Sequence, residues 1–254
     1  MNVSLTFLIT GGSGSLGREL VKTYPESIHP SHNELDITNE KAVLEYVSKV
    51  RIDELIHCAA LTSIRECEED KERAYRTNVE GTRNLVRSVS RYNPDCLFVY
   101  VSTASVFSGD RGYFTEFDIP YPKNFYNLTK LLAELVVTES GLASYLIVRT
   151  NFAPRKKWPY PRAFTDRFAT YLFADDLAAA MKQVIGHGLR GIVHVCGEMK
   201  LSMFELAKIT TPEILPMTMS EYAGPPLPLD MSLRSVRIPS FPLTRKTREA
   251  AELS

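Results

Sequence analysis

The chain has 254 residues, 44% of them hydrophobic, and its 30 basic and 30 acidic side chains cancel in charge. This length suits one large α/β domain, or a domain with a small appendage, and the composition excludes disordered and fibrous proteins. A neutral chain has no global field that attracts nucleic acid or an anionic membrane, so we expect neither as a partner and expect binding to be local.

The four cysteines are scattered, with no C-x-x-C pair and no histidine at metal-ligand spacing. We therefore expect reduced thiols and no metal site. The N-terminal apolar run has no basic flank and is too short for the core of a signal peptide, and no stretch approaches the length of a membrane span. These features predict a cytoplasmic protein.

Strand-like and helix-like segments alternate over the first two thirds of the chain, which is typical of βαβ units and a parallel sheet. The predicted strands cover 5–10, a brief stretch near Ile28, 54–60, 96–102, 144–150 and 191–196. The predicted helices cover 16–24, a segment that follows Thr38 as its N-cap, 69–92, 126–140 and 175–185. Residues 151–167 support no element, and the proline-dense region 211–242 indicates loops with short elements.

This order of elements predicts an α/β fold, a Rossmann-type doubly wound parallel sheet with a small, shortened C-terminal substrate lobe. We assign residues 1–150 to an NAD(P)-binding domain, with parts of 166–200 returning to its sheet. Residues 151–254 then form the lobe and the tail.

A glycine-rich turn, LITGGSGSLG, follows the first strand and opens the first helix. Gly12, Gly14 and Gly17 satisfy G-x-G-x-x-G, and Gly11, Gly14 and Gly17 satisfy G-x-x-G-x-x-G. Either register brings the backbone against a pyrophosphate and directs a helix N-terminus at its charge. A flexible loop can match the pattern by chance, but a position between strand and helix favours a nucleotide site.

Tyr126 and Lys130 lie four residues apart at the start of a predicted helix, so their side chains share one face. A nearby cation favours the phenolate, and we expect the tyrosine pKa to be lowered so that the phenol exchanges protons near neutral pH. A solvated surface pair is the alternative for this pattern alone. Thr103, with Ser102 and Ser105, lies at the carboxyl end of the clearest strand, where parallel sheets bind ligands.

In this order and spacing the motifs resemble the extended short-chain dehydrogenase/reductase family, and within it the dTDP-4-dehydrorhamnose reductase group. The resemblance covers roughly residues 4–200 and includes the segments TGGSGSLG, ELDITN, HCAA, STASVFSG and FYNLTKLLAE. It implies that Thr103 polarises a substrate carbonyl and that Tyr126 protonates it as hydride arrives from a nicotinamide. It also implies that Lys130 holds the nicotinamide ribose and lowers the tyrosine pKa, and that Asn78 positions the site from behind.

The resemblance implies two further sets of residues. The cofactor-binding set is Gly11, Gly14, Ser15, Leu16, Gly17, Arg18, Asp36, Ile37, Cys58, Ala59, Ala60, Tyr126 and Lys130. The substrate-binding set is Thr103, Ser105, Asn151 and Arg234.

For the cofactor we favour NADP(H) over NAD(H). The stretch after the second strand has no carboxylate before Glu34, whereas Arg18 and His32 are available to meet a 2′-phosphate. Asp36 lies about where the ribose-binding acid of NAD enzymes falls, which keeps NAD(H) open.

Two departures from the family concern the substrate side. Ala104 and Ser105 stand where the reductase group has Asp and Tyr, and residues 151–165 leave no room for the helix that the family's substrate lobe has there. The basic residues of this short region are candidates either for binding a nucleotide diphosphate or for a solvated loop: Arg155, Lys156, Lys157 and Arg162.

The expected function is NAD(P)H-dependent reduction of a nucleotide-linked 4-keto-6-deoxy sugar. An epimerase or another carbonyl reductase of the family is one alternative, and a non-catalytic NADP-binding regulatory subunit is another. The intact Thr103, Tyr126 and Lys130 favour an enzyme. Family members often pair through two long helices, here 69–92 and 126–140, so we expect a homodimer.

Overall fold

A parallel sheet between two layers of helices forms the centre of the protein in a computed structural model, which describes residues 5–244. The strands in chain order are β1 (Phe7–Thr10), β2 (Glu54–His57), β3 (Leu97–Thr103), β4 (Tyr145–Thr150), β5 (Phe152–Ala153), β6 (Arg162–Phe164), β7 (Phe168–Ala169), β8 (Leu172–Phe173), β9 (Gly191–His194), β10 (Leu201–Ser202) and β11 (Leu215–Met217).

The α-helices are α1 (Ser15–Thr23), α2 (Glu40–Ser48), α3 (Ile64–Glu69), α4 (Lys71–Tyr75), α5 (Gly81–Tyr92), α6 (Phe125–Thr138), α7 (Ala174–Gly186) and α8 (Met203–Thr210). A π-helical turn, Arg76–Glu80, joins α4 to α5, and two 3₁₀ turns cover Ala104–Val106 and Met219–Glu221. The sequence analysis did not predict α8.

The main sheet has the order β1-β2-β3-β4-β9, with parallel pairing throughout. The predicted strand near Ile28 is a single parallel bridge from Ile28 to Leu8, on the side of β1 away from β2. The chain therefore crosses to the other half of the sheet between β1 and β2. Ligands of open parallel sheets bind at the carboxyl ends of the strands at such a switch point.

Each face of the sheet is covered by its own helices. α1 and α7 pack on one face, where Leu20 and Met181 meet Ile9 and Val148. α2, α5 and α6 pack on the other face. Because both faces are buried, the strands are continuous apolar runs rather than alternating ones.

Two predicted helix features differ in the structure. The helix expected over 69–92 is interrupted at Asp70, whose extended backbone leaves the helix and whose carboxylate caps α4 by accepting from the Arg73 amide at 2.9 Å. The expected N-cap Thr38 is wrong. Asn39 caps α2, because the Thr38 amide and hydroxyl both donate to Asp36 Oδ1, at 2.9 and 2.8 Å.

The lobe consists of short strand pairs around a separate apolar cluster. β5 pairs with β8, β6 with β11 and β7 with β10, so region 151–167 holds two short strands that were not predicted. Phe107, Tyr171 and Met231 lie in this cluster. α7 packs on the main sheet, and β9 pairs with its strand β4. The division at residue 150 stays a prediction, and 245–254 of the predicted tail lie outside the described residues.

Residues 5–244 contain no helix that is both long and apolar enough to cross a membrane. Within the same range, no group of three or more His, Cys, Asp or Glu side chains is placed to hold a metal ion. Cys58, Cys67, Cys96 and Cys196 are all free thiols.

His57 links the ends of β1 and β2 to the helical layer. Its Nδ1 lies 2.7 Å from Thr10 Oγ1, and its Nε2 lies 3.0 Å from Thr82 Oγ1. Thr82 donates its own proton to the Asn78 carbonyl at 2.7 Å, so His57 Nε2–H donates to Thr82 and Nδ1 accepts from Thr10. Burial, aided by the Lys130 charge, lowers the pKa of His57 to about 3.

We predict that His57 makes the protein sensitive to acid. Its folded pKa of about 3 lies below its ordinary value of 6.5, so below pH 6.5 the unfolded chain binds a proton that the folded chain does not. Falling pH should therefore lower the stability of the wild type relative to His57→Gln by up to about 1.4 kcal/mol per pH unit. Urea unfolding at pH 7, 6 and 5 measures this difference, with exposed His187→Gln as the control. Equal pH slopes for wild type and His57→Gln would refute it.

Candidate active site

A cleft of about 830 Å³ lies at the carboxyl ends of the strands, at the switch point of the sheet. It brings together most of the predicted site residues: Gly11, Gly14, Ser15, Leu16, Gly17, Asp36, Ile37, Cys58, Ala59, Ala60, Thr103, Tyr126, Lys130 and Asn151. Four others are not among the residues that line it, namely Arg18, Asn78, Ser105 and Arg234.

The glycine loop forms one wall of the cleft through two close approaches. Gly11 has φ +72°, and a Cβ there would lie 2.7 Å from the Ala59 nitrogen at the end of β2. A Cβ on Gly17 would overlap the Gly11 carbonyl oxygen, so α1 packs directly on the loop. α1 begins after Gly14 with no side-chain cap, which leaves its N-terminus available to an anion.

Helix α6 carries the Tyr126 and Lys130 pair into the cleft. Lys130 is only 4% exposed. Its Nζ donates to the Val101 carbonyl at 2.8 Å and lies 4.1 Å from the Tyr100 ring centroid. Burial lowers the pKa of Lys130 to about 8, although the Glu134 charge opposes the fall.

The phenol of Tyr126 stays protonated at neutral pH. Burial raises its pKa well above 10, and the Cys67 thiol adds to the rise. The expected lowering of this pKa is therefore wrong for this structure, because desolvation dominates and the Lys130 ammonium is directed at Val101 and Tyr100. Tyr126 is placed to act as a proton donor.

Thr103 ends β3 with its hydroxyl held in one orientation. Thr103 Oγ1 accepts from the Ser105 amide at 3.1 Å and caps the 3₁₀ turn Ala104–Val106. The oxygen is fixed as an acceptor in this bond, which leaves the hydroxyl proton available to a substrate oxygen. Ser105 is not among the residues that line the cleft, and its hydroxyl donates to Met231 Sδ at 3.0 Å.

Asn78 lies behind the cleft, in the π-helical turn. Its Oδ1 accepts from the Leu61 amide at 2.7 Å, and its Nδ2 donates to the Leu61 carbonyl and to Thr129 Oγ1, at 3.0 and 2.9 Å. Thr129 in turn donates to the Tyr126 carbonyl at 2.7 Å. Asn78 thus ties the cleft-lining Leu61 to the helix of the tyrosine, consistent with the predicted role from behind, and π turns are frequent at functional sites.

A buried ion pair fixes α6 against two strands. Arg149 of β4 donates from Nη2 to Glu134 Oε2 at 2.6 Å and from Nε to both carboxylate oxygens at 3.1 Å. The hydroxyl of Ser102, which stands beside Arg149 in the strand register, donates to the same carboxylate. Both side chains of the pair are 3% exposed. The pair therefore positions Lys130, one helical turn away, against Thr103.

The end of the cleft beside Asp36 is cationic. His32, Arg73 and Arg76 line it with Asp36. Burial raises the pKa of Asp36, but the hydrogen bonds from Thr38 and the charges of His32 and Arg76 outweigh this and lower it. Arg73 and Arg76 were not predicted from the sequence. The break at Asp70 and the π turn set the direction of the helix that carries them, and neither feature was predicted.

Two predicted cationic features do not reach the cleft. Arg18 donates from Nε to the Ser13 carbonyl at 2.8 Å and lines a neighbouring cleft on the other side of the glycine loop. Arg234 is exposed on the lobe.

The basic residues of region 151–165 do not converge on one site. Arg155 pairs with Asp175 and Asp176 at 2.9 and 3.0 Å, Lys157 with Glu213 at 3.6 Å, and Arg162 with Glu221 at 2.6 Å. Three of the four therefore have carboxylate partners of their own.

The sequence and the fold match known proteins. The family model described as the RmlD substrate binding domain matches residues 5–154, more than half of the chain. The chain belongs to this family. The predicted Rossmann-type fold is confirmed by a solved dTDP-4-dehydrorhamnose reductase from Bacillus anthracis in complex with NADP, which has a TM-score of 0.87 and 26% identity over 99% of both chains.

Two curated relatives differ in what they do. A dTDP-4-dehydrorhamnose reductase of Aggregatibacter actinomycetemcomitans is 28% identical over 225 residues, 79% of this chain and 76% of that protein. The methionine adenosyltransferase 2 subunit beta of Rattus norvegicus is 23% identical over 94% of this chain and 83% of its own length.

We predict that Glu134→Gln is strongly destabilising. The substitution leaves the Arg149 charge buried without a counter-ion, which should lower the free energy of unfolding by about 3 to 5 kcal/mol. Urea unfolding measures the loss. Glu45→Gln, which removes the exposed Lys49–Glu45 pair, is the matched control and should leave the stability unchanged. A Glu134→Gln variant as stable as the wild type would show that the pair does not hold α6.

Proposed function

We propose that the protein is a reductase that uses NADPH to reduce the keto group of a nucleotide-linked 4-keto-6-deoxy sugar. The observation that carries this proposal is the single cleft that the glycine loop shares with Thr103, Tyr126 and Lys130. The names of the relatives support the substrate and cofactor class, since they include dTDP-4-dehydrorhamnose reductases and one solved with NADP.

The glycine loop fits a dinucleotide, because the space that a Cβ at Gly11 or Gly17 would fill is needed for the close packing of loop, strand and helix. The loop and the N-terminus of α1 would hold the pyrophosphate, and Lys130 the nicotinamide ribose. When bound, the cofactor supplies the hydride.

The chain's own residues supply orientation and a proton. The Thr103 hydroxyl donates to the carbonyl oxygen of the substrate and polarises it. Tyr126, kept protonated by burial, gives its proton to that oxygen. Asn78 and Glu134 keep α6, which carries Tyr126 and Lys130, in register with Thr103.

We predict that Tyr126→Phe lowers kcat for a dTDP-linked 4-keto-6-deoxy sugar by about 10²- to 10⁴-fold, because the proton donor is lost. Its affinity for NADPH should be unchanged. Nicotinamide absorbance measures the rate, and Tyr92→Phe, at the far end of α5, is the control. The proposal fails if the wild type reduces no 4-keto nucleotide sugar, or if Tyr126→Phe reduces it equally fast.

The preference for NADPH over NADH rests on the cationic end of the cleft. His32, Arg73 and Arg76 lie beside Asp36, whose Oδ1 already accepts two hydrogen bonds from Thr38. Cations at this point favour a 2′-phosphate, and we assign to Arg76 the role first expected of Arg18.

We predict that Arg76→Ala weakens the binding of NADPH by about tenfold, with a much smaller effect on NADH, because only NADPH carries the phosphate. Fluorescence titration of both cofactors measures the ratio of affinities. Arg18→Ala is the control and should leave the ratio unchanged. A ratio that moves in Arg18→Ala and not in Arg76→Ala would reverse the assignment.

A non-catalytic regulatory subunit is the second candidate function. The match of the methionine adenosyltransferase 2 subunit beta to 94% of the chain supports it, as does the shortened region 151–165. Tyr126 and the buried Lys130, which both line the cleft, favour the enzyme, because a protein that only binds needs no placed proton donor. The epimerase alternative shares these residues. A homodimer through α5 and α6 also stays a prediction, supported by the exposure of Leu128 and Leu135 on α6.

A further inference from the structure

Arg167 is a buried cation without a counter-ion. Its side chain stands just before β7 and is 8% exposed. Nε donates to the Pro228 carbonyl at 3.1 Å and Nη2 to Met231 Sδ at 3.3 Å. In the described part of the chain no carboxylate oxygen lies within 4 Å of its guanidinium. Buried arginines are almost always paired, because an isolated charge is costly to desolvate.

A second polar group near Arg167 also lacks a partner. The Tyr171 hydroxyl is buried and forms no hydrogen bond. Burial raises its pKa, the Arg167 charge opposes the rise, and Asp230 adds to it. Asp230 is itself paired with Lys200, so the charge of Arg167 remains uncompensated.

Met231 connects Arg167 to residues of the catalytic site through hydrogen bonds. Its sulfur accepts from both Arg167 and Ser105, and its carbonyl accepts from Asn151, which lines the cleft, at 3.1 Å. Ser105 in turn holds the Thr103 hydroxyl. A thioether sulfur is a weak hydrogen-bond acceptor, so the hydrogen bonds that the Arg167 guanidinium and the Ser105 hydroxyl donate to Met231 are weak.

The Met231 side chain can leave without unfolding the segment that carries it. The backbone on either side is fixed: Met231 N donates to the Phe168 carbonyl at 2.8 Å, and Leu233 bridges to Phe114. Methionine has three rotatable side-chain bonds and adapts readily to a new packing. A ligand that takes the place of the thioether meets the Arg167 guanidinium and the Ser105 hydroxyl.

We propose that Arg167, Ser105 and Tyr171 form an anion subsite next to Thr103, which Met231 closes, and that the diphosphate of a nucleotide-linked substrate displaces Met231 to pair with Arg167. This rests on the proposed function for the identity of the ligand. Guanidinium and phosphate form charge-assisted, often bidentate hydrogen bonds, which exceed those to a thioether. The subsite compensates for region 151–165, where three of the four cations have carboxylate partners.

The test uses the full chain saturated with NADPH and dTDP as the probe. Calorimetry should show that Arg167→Gln weakens dTDP binding by about tenfold or more, with a smaller loss in Arg167→Lys. Arg162→Gln, which removes another lobe arginine, should bind dTDP as the wild type does. Met231→Ala should bind dTDP more tightly, because the competing side chain is gone. Arg167→Gln with wild-type affinity would overturn the proposal.

A spectroscopic readout keeps the test decisive if Arg167→Gln does not fold. The protein has seven methionines, so ¹³C-methyl labelling gives seven resonances, and Met231→Leu assigns the one of interest. We expect dTDP to shift the Met231 methyl resonance strongly. A Met231 resonance that stays in place while dTDP binds would refute the displacement.

The outcomes also separate the subsite from the proposed reductase activity. Binding of dTDP that depends on Arg167, without reduction of any 4-keto sugar, supports the subsite and contradicts the reductase. Reduction of the sugar by Arg167→Gln with an unchanged KM supports the reductase and contradicts the subsite.

Discussion

The buried ion pair between Glu134 and Arg149 is the interaction on which the geometry of the site depends. It joins α6, which carries Tyr126 and Lys130, to β4, and through Ser102 to β3, which ends at Thr103. Both side chains of the pair are 3% exposed, so the free energy lost in desolvating the two charges offsets much of their attraction. The main effect of the pair is therefore to fix the position of α6 relative to the strands. The Glu134 charge also opposes the fall in the Lys130 pKa that burial causes.

The two ends of the cleft differ in their chemistry. At one end the glycine loop and the cations beside Asp36 are open to a phosphorylated ligand. Beyond the residues that line the cleft, next to Thr103, Ser105 and Arg167 both donate to the Met231 thioether. The proposed dinucleotide site is therefore open, whereas Met231 closes the proposed anion subsite.

The sequence predicted what depends on local pattern. The order of strands and helices, the glycine loop, the shared face of Tyr126 and Lys130 and the position of Thr103 at a strand end follow from periodicity and spacing, and the resemblance added Asn78. Features that arise from tertiary contacts were not predicted from the sequence. Desolvation raised the Tyr126 pKa against the expectation from Lys130, and carboxylates from distant segments paired with Arg155 and Arg162. Arg76 and Arg167 belong to no sequence motif, so they became candidate binding residues only through their surroundings in the structure.

The central claim is that this cleft transfers hydride to a sugar carbonyl while Tyr126 supplies the proton. The most direct measurement is to incubate the protein with NADPH deuterated at the transferable position of nicotinamide C4 and with a dTDP-linked 4-keto-6-deoxy sugar, and to weigh the product by mass spectrometry. The account predicts a reduced sugar that carries one deuterium on its former carbonyl carbon. A protein that binds NADPH and leaves both sugar and label unchanged would contradict it.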